Sequence, residues 1–225
     1  GRRGLDMLNK LQTNDKVDLT FASCLRAILR QNPDIIMVGE IRDAETAQMA
    51  VRSAMTGHLV LSTIHTNDAA GAVSRLLDME VEGFLLGSAL LGVIAQRLVR
   101  AICPECKTPD PLPPEVLSQL ELPPDSPAEF FRGEGCPKCG ETGFKGRSGV
   151  FEFLMVDDAI QRMILAQSTA ADIKRHAVAH GMKTLHQHAL EKALAGETTY
   201  REVLRISYRS EHNENSTADA KSVYI

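Results

Sequence analysis

Apolar positions in the first part of the chain alternate between two rhythms. Phe21, Cys24, Leu25, Ile28 and Leu29 fall at i, i+3, i+4, i+7 and i+8, the stripe of an amphipathic helix that stops before Pro33. Thr20 stands where an N-cap belongs. Residues 1–19, polar with scattered apolar positions, read as loop with one edge strand. Ile35-Ile36-Met37-Val38 follows Pro33-Asp34 and is too short for a helix, so it reads as a buried strand. A helix from about Ala44 to Thr56, closed by Gly57, leads to a second strand over 58–63. Asn67 or Asp68 can cap a third helix that carries Val73, Leu76 and Leu77. Gly83 to Arg100 reads as one long, mostly buried helix whose terminal cations suit the helix dipole. This order predicts an α/β fold, a parallel sheet with flanking helices.

The rhythm breaks at Cys103. Residues 103–149 are rich in Pro, Gly and Cys, with Leu112-Pro113-Pro114 and Leu122-Pro123-Pro124 in the middle, and read as a separate small module. After Val150-Phe151-Glu152-Phe153 the chain turns helical. Helices are expected at about 157–166, 169–179, 184–195 and 199–206, divided by Ser168-Thr169, Gly181 and Gly196. The expected divisions are 1–102, 103–149, a helical subdomain over 150–209 and a disordered polar tail over 210–225.

Composition narrows the classes. The 225 residues suffice for one sizeable core or two small ones. A net charge of −4 gives no reason to expect broad nucleic-acid binding. The longest apolar stretch, Phe84 to Ala95, is interrupted by glycines and too short to span a bilayer. The start carries no secretory pattern, and Gly1-Arg2-Arg3-Gly4 reads as the inside of a longer chain.

Candidate chemistry gathers at the ends of the two strands. Gly39-Glu40 closes the first, and Ser62, Thr63 and His65 close the second. Ligands of open α/β sheets bind at that rim. A carboxylate there suits ATP hydrolysis, which needs an acid to position the attacking water while Mg²⁺ screens charge. Gly39 stands where a generic Walker B strand has Asp. Any strand can end in Glu, and a lone strand-end histidine is more often a packing residue. His65 can also sense a phosphate or hydrogen-bond the acid. Arg26, Arg30, Arg42, Arg75 and Arg147 are candidate anion ligands, each of which reads equally well as a solvated surface charge. His176 and His180, one helical turn apart, lack a carboxylate pattern and read as a solvated face.

Cys103-Pro-Glu-Cys106 and Cys136-Pro-Lys-Cys139 form the strongest local signal. Two such pairs give four thiolates for a closed, tetrahedral structural Zn²⁺ site. The spacer exceeds the usual ribbon length, so the insert must loop out. Two disulfides or an iron–sulfur site are the competing readings, and the lack of secretory features favours zinc. Cys24, on an apolar helix face, reads as core. No G-x-x-x-x-G-K-[ST] occurs anywhere, so a phosphate-cradling loop is missing from this polypeptide.

Together these residues resemble a known family. LRAILRQNPDIIMVGEIRDAETAQMAVRSAMTGHLVLSTIHTNDA, followed by QRLVRAICPEC…CPKCGETGFKGRSGVFE, is similar to the secretion ATPase superfamily. The match lies with the type II secretion and type IV pilus assembly motor ATPases, which carry the four-cysteine insert; retraction ATPases lack it. The resemblance implies a RecA-like ATPase core over 1–102 and a homo-hexameric ring. It casts Glu40 as the Walker B glutamate, His65 as the His-box histidine, the five arginines as phosphate ligands within or between subunits, and Cys103, Cys106, Cys136 and Cys139 as zinc ligands. ATP, Mg²⁺ and Zn²⁺ are the implied cofactors. The implied partners are an inner-membrane platform and a cytoplasmic-face recruiting protein, with the ring in the bacterial cytoplasm, peripheral at the inner membrane. The family's phosphate loop and Asp box would lie upstream of Gly1, so the chain is expected to be the C-terminal part of a motor that binds ATP weakly or not at all alone. A non-catalytic zinc-bearing interaction module is one alternative. A nucleic-acid-binding zinc ribbon is another, which the acidic balance disfavours.

Overall fold

The computed structural model of the protein describes residues 21–212 and 222–224. The expected loop and edge strand over 1–19, the Thr20 cap, and residues 213–221 and 225 of the expected tail lie outside the described residues.

Helix α1 (Phe21–Leu29) sinks Cys24 and Leu25 into the core and ends before Pro33. Strands β1 (Ile35–Val38) and β2 (Leu59–Ile64) run parallel, with Ile35 opposite Leu59 and Val38 opposite Ser62. Between them α2 (Ala44–Met55) starts at Asp43, whose carboxylate accepts the Thr46 amide at 2.8 Å. Gly57, at φ +101, turns the chain from α2 back into β2. Asp68 caps α3 (Ala69–Asp78) in the same way, through the Gly71 amide.

The expected helix from Gly83 to Arg100 is two elements. Only α4 (Gly83–Ala89) is helical, and β3 (Gly92–Ile102) is a strand. Val93, Ala95 and Val99 are buried while Ile94, Gln96 and Leu98 turn the other way, which is a period of two. A short apolar run with glycines fits either period, and here long-range pairing decided. Arg97 and Arg100 therefore project from a strand and do not close a helix dipole.

Beyond β3 come β4 (Lys107–Pro109), α5 (Pro114–Gln119) and β5 (Phe131–Gly133), with β4 and β5 antiparallel. Strand β6 (Phe144–Met155) then returns along β3, from Phe144 opposite Ile102 to Met155 opposite Gly92. The helices α6 (Asp158–Leu165), α7 (Ala170–Ala179), α8 (Leu185–Leu194) and α9 (Tyr200–His212) follow. Within the stretch expected to be a disordered tail, α9 continues to His212 and β7 (Ser222–Tyr224) is a strand. The larger sheet has the order β1-β2-β7-β3-β6. Strand β7 is antiparallel to both neighbours, so β1, β2 and β3 share one direction.

One face of this sheet is covered by helices and holds Ile36, Val38, Ile64, Val93, Ala95 and Leu154. Among the described residues no element covers the opposite face. Ile35, Met37, Leu59, Leu61, Phe153 and Met155 are all exposed there, Met37 by 70%. Strand β7 pairs only with Thr63 and Ile64 of β2 and with Ile94, Ala95 and Gln96 of β3. Beside it a cleft of ≈ 680 Å³ opens between β2 and β3.

Helix α9 is tied to β3 by one buried carboxylate. Glu202 accepts the Arg100 amide at 2.9 Å and the guanidinium groups of Arg100 and Arg205. Burial alone would raise its pKa, but Arg205 and Arg100 outweigh burial and hold it below the ordinary glutamate value.

Candidate active-site rim and metal centre

Strands β1 and β2 end side by side, and two hydrogen bonds lock their ends. The Ile41 amide donates to Thr63 O at 2.8 Å, and the Thr63 hydroxyl donates to Gly39 O at 2.7 Å. The locked ends bring Glu40 and His65 together. His65 Nε2 lies 2.7 Å from Glu40 Oε1, and Arg42 Nε donates to Oε2 at 2.6 Å. The Glu40 side chain is only 16% exposed, whereas Arg42 and His65 are open to solvent. Glu40 in turn raises the Arg42 pKa through its hydrogen bond and its charge. An acid held on both oxygens at a parallel-strand rim, with one imidazole in contact, can orient a water or a phosphate oxygen.

The other arginines are placed differently. Arg26 on α1 pairs with Glu45 in the first turn of α2, next to the rim. Arg30 is exposed in the turn after α1. Arg75 is exposed in the last turn of α3, the end away from the rim. Arg147 sits on β6 opposite Arg100, further along the strand pair than Arg97. Of the five candidates, the described contacts bring only Arg42 onto Glu40. His58, at the other end of β2, is held by Ser53 O at 3.0 Å, a packing arrangement.

Residues that sequence reasoning passed over fix the loop after His65. Arg97 donates to Asn67 O at 2.8 Å, Lys174 of α7 pairs with Asp68 at 2.9 Å, and Glu152 of β6 accepts the Ala69 amide at 2.9 Å. An acid in an otherwise apolar strand, Val-Phe-Glu-Phe, was the available signal for Glu152.

Cys103, Cys106, Cys136 and Cys139 converge, with all four sulfurs within 4.8 Å of one another. Cys103–Cys136 and Cys106–Cys139 are 3.9 Å apart and Cys136–Cys139 3.7 Å. Zn–S bonds of about 2.3 Å place the corners of a tetrahedron about 3.8 Å apart, so the spacing fits a tetrahedral ion. Burial pushes the Cys106 thiol up to about 12. For Cys139 burial acts the same way, but the amides of Cys136 and Gly143 donate to its sulfur and bring it down to about 6. A sulfur so prepared is a ready thiolate ligand. Among the described residues no other histidine, cysteine or carboxylate group gathers this way.

The centre depends on a close backbone crossing. A Cβ on Gly133 would overlap the carbonyl oxygen of Gly143, and Gly143 itself has φ +76. Gly133→Ala is expected to weaken Zn²⁺ binding about fivefold to a hundredfold, since forced overlap costs roughly 1–3 kcal/mol. A competitive chelator titration that gives wild-type affinity would show that the crossing is not needed.

Comparison with known proteins identifies the family. The family described as "Type II/IV secretion system protein" matches residues 4–205. The "Type II secretion system ATPase E" of Vibrio cholerae is 47% identical over 206 residues, which are 92% of this chain and 41% of that protein. The "Type IV pilus assembly ATPase PilB" of Thermus thermophilus is 52% identical over 202 residues, 88% of this chain and 22% of that one. The chain thus spans less than half the length of these relatives. The solved pilus retraction motor PilT with bound ADP superposes with a TM-score of 0.58 at 27% identity, covering 83% of this chain and 43% of that chain. The Legionella pneumophila ATPase DotB shares the fold, with a TM-score of 0.60 at 22% identity over 91% of this chain and 48% of that one. By the match over residues 4–205, and in keeping with its RecA-like fold, the chain belongs to the Type II/IV secretion system protein family.

Proposed function

We propose that this chain works as the C-terminal part of an ATP-driven motor for type II secretion or type IV pilus assembly. The observation that carries the reading is Glu40, held between His65 and Arg42 at the strand-end rim. In this reading Glu40 polarises the water that attacks the terminal phosphate, and His65 reports phosphate occupancy to the loop behind it. Arg42 neutralises the acid until nucleotide arrives. Arg26, Arg30, Arg75 and Arg147 serve phosphates across subunit boundaries of a homo-hexamer. Mg²⁺, when bound, screens the phosphate charge. The four cysteines hold a structural Zn²⁺.

The missing phosphate loop belongs, in this reading, to the remainder of a longer protein. Support comes from the relatives' greater length, from an apolar sheet face that no described element covers and from the partly filled gap between β2 and β3. The 1–102 core, the cysteine insert and the C-terminal helices act as successive parts of one motor. The ring sits in the bacterial cytoplasm against an inner-membrane platform and a recruiting protein. No helix among the described residues is long and apolar enough to cross a membrane.

Calorimetric titration with ATP and Mg²⁺ tests the division of the site. The full-length parent is expected to bind in the micromolar range and to hydrolyse ATP, and this chain alone to bind at least about a hundredfold more weakly, a loss of about 2.7 kcal/mol. Micromolar binding by the chain alone would overturn the split site, and an inert full-length protein would overturn the motor.

A further inference from the structure

Glu152 is the one strongly buried acid that touches the backbone behind His65. It is 1% exposed, yet it carries a carboxylate on a strand whose neighbouring side chains are apolar. Its two oxygens serve two different helices. Oε1 accepts the Ala69 amide at 2.9 Å, at the start of α3, and Oε2 accepts the Leu185 amide at 3.2 Å, at the start of α8. Both helix N-termini direct unpaired amides and the positive end of a dipole at it. Asp68, the cap of α3, is meanwhile pinned from outside by Lys174 of α7. On the β3 side Arg97 holds the Thr66 and Asn67 carbonyls. The four residues after His65 are therefore fixed by β3, β6 and α7, and the β6 contact extends to α8.

The arrangement is more than a cap. A cap needs one helix, and a serine at the surface would do it at little cost. Burying a carboxylate is expensive unless it is fully paired, and this one is paired only while both helix ends stay where they are. A displacement of α8 would strip one oxygen, and the remaining contact is with the residue that opens α3. We propose that Glu152 is a positioning residue that couples helix α8 to the loop behind His65 and so sets the His65–Glu40 contact. This inference rests on the motor reading only for its effect on turnover. The coupling itself is a property of this chain.

Two measurements test it. In this chain, the His65 imidazole signals, assigned by their loss in His65→Gln, are followed by NMR. Glu152→Gln, which turns a donor toward one of the two amides, is expected to shift or broaden them. Glu202→Gln weakens the α9–β3 tie elsewhere, where Arg205 also donates to Leu98 O, and serves as a control of general destabilisation. It is expected to lower the melting temperature without moving His65. If Glu152→Gln does not fold, Lys174→Met decides, because it frees Asp68 and removes the positive charge that faces Glu152 while leaving both Glu152 hydrogen bonds in place, and it is expected to move the same signals by less. Unchanged His65 signals in the folded variant, or equal shifts in Glu202→Gln, would overturn the coupling. In the full-length parent, Glu152→Gln is expected to lower kcat about tenfold or more with KM for ATP within about twofold, because it misplaces a reacting group without removing a binding contact. A change in KM alone would overturn the positioning role. A parent with no ATPase activity would sink the motor reading and leave the NMR outcome standing.

Discussion

Glu40→Gln in the full-length parent is expected to cut ATP turnover by about a hundredfold to ten-thousandfold, the usual contribution of a positioned acid–base group. The substitution keeps the size and one hydrogen-bond acceptor, so the fold should survive. It removes the charge that Arg42 and His65 share. Nucleotide affinity should hold or rise slightly, since an anion next to the phosphates is gone. Steady-state phosphate release together with equilibrium binding of a non-hydrolysable analogue separates the two quantities. Turnover within about threefold of wild type would remove Glu40 from the chemistry, whatever its geometry. A parallel loss of analogue binding would assign it to ground-state binding instead.

Cys136→Ser and Cys139→Ser should have the next largest effect, and a local one. Structural Zn²⁺ contributes on the order of 10–16 kcal/mol to small domains at neutral pH, and the loss of one thiolate forfeits most of it. Leu117, Leu120 and Phe130 join the residues between β3 and β6 to the main apolar cluster, but β4 and β5 pair over only three residues each and the knuckles themselves have no such packing. Hydrogen exchange should therefore speed up in β4, β5 and the knuckles while β1, β2 and the upper part of β3 stay protected. Metal content by emission spectroscopy should fall from about one ion per chain to near zero. Uniform loss of protection across the sheet would mean that the metal module is part of the main core. Full metal retention would exclude these sulfurs as ligands.

The sequence was informative where local chemistry and long-range packing ask for the same residue. Pro33, Gly57 and Asp68 punctuate the helices and strands around the rim, and each does so in the structure as its type requires. The Glu40–His65 contact was open to sequence reading because neighbouring parallel strands carry their C-terminal ends to the same rim. Residues 83–100 were misread because glycines and apolar residues there fit two periods, and the deciding partner, β6, lies some fifty residues away. The Lys174 pairing was invisible for the same reason: Asp68 and Lys174 are 106 positions apart. The placement of Arg75 at the far end of α3 could not be inferred from a list of arginines, because helix direction relative to the rim decides it.

The β3–β6 pair has a mechanical consequence. It is one ribbon that starts in the sheet and continues to the cysteine knuckles, with ten paired positions from Gly92–Met155 to Ile102–Phe144 and a single irregularity between Arg100 and Ile102. Cross-strand hydrogen bonds let such a ribbon twist readily but resist stretching. The knuckles at one end and Glu152 near the other thus ride on a common spar. A pull at the sulfur-rich tip would reach the sheet along the ribbon's length, whereas a twist applied there would be taken up within the ribbon itself.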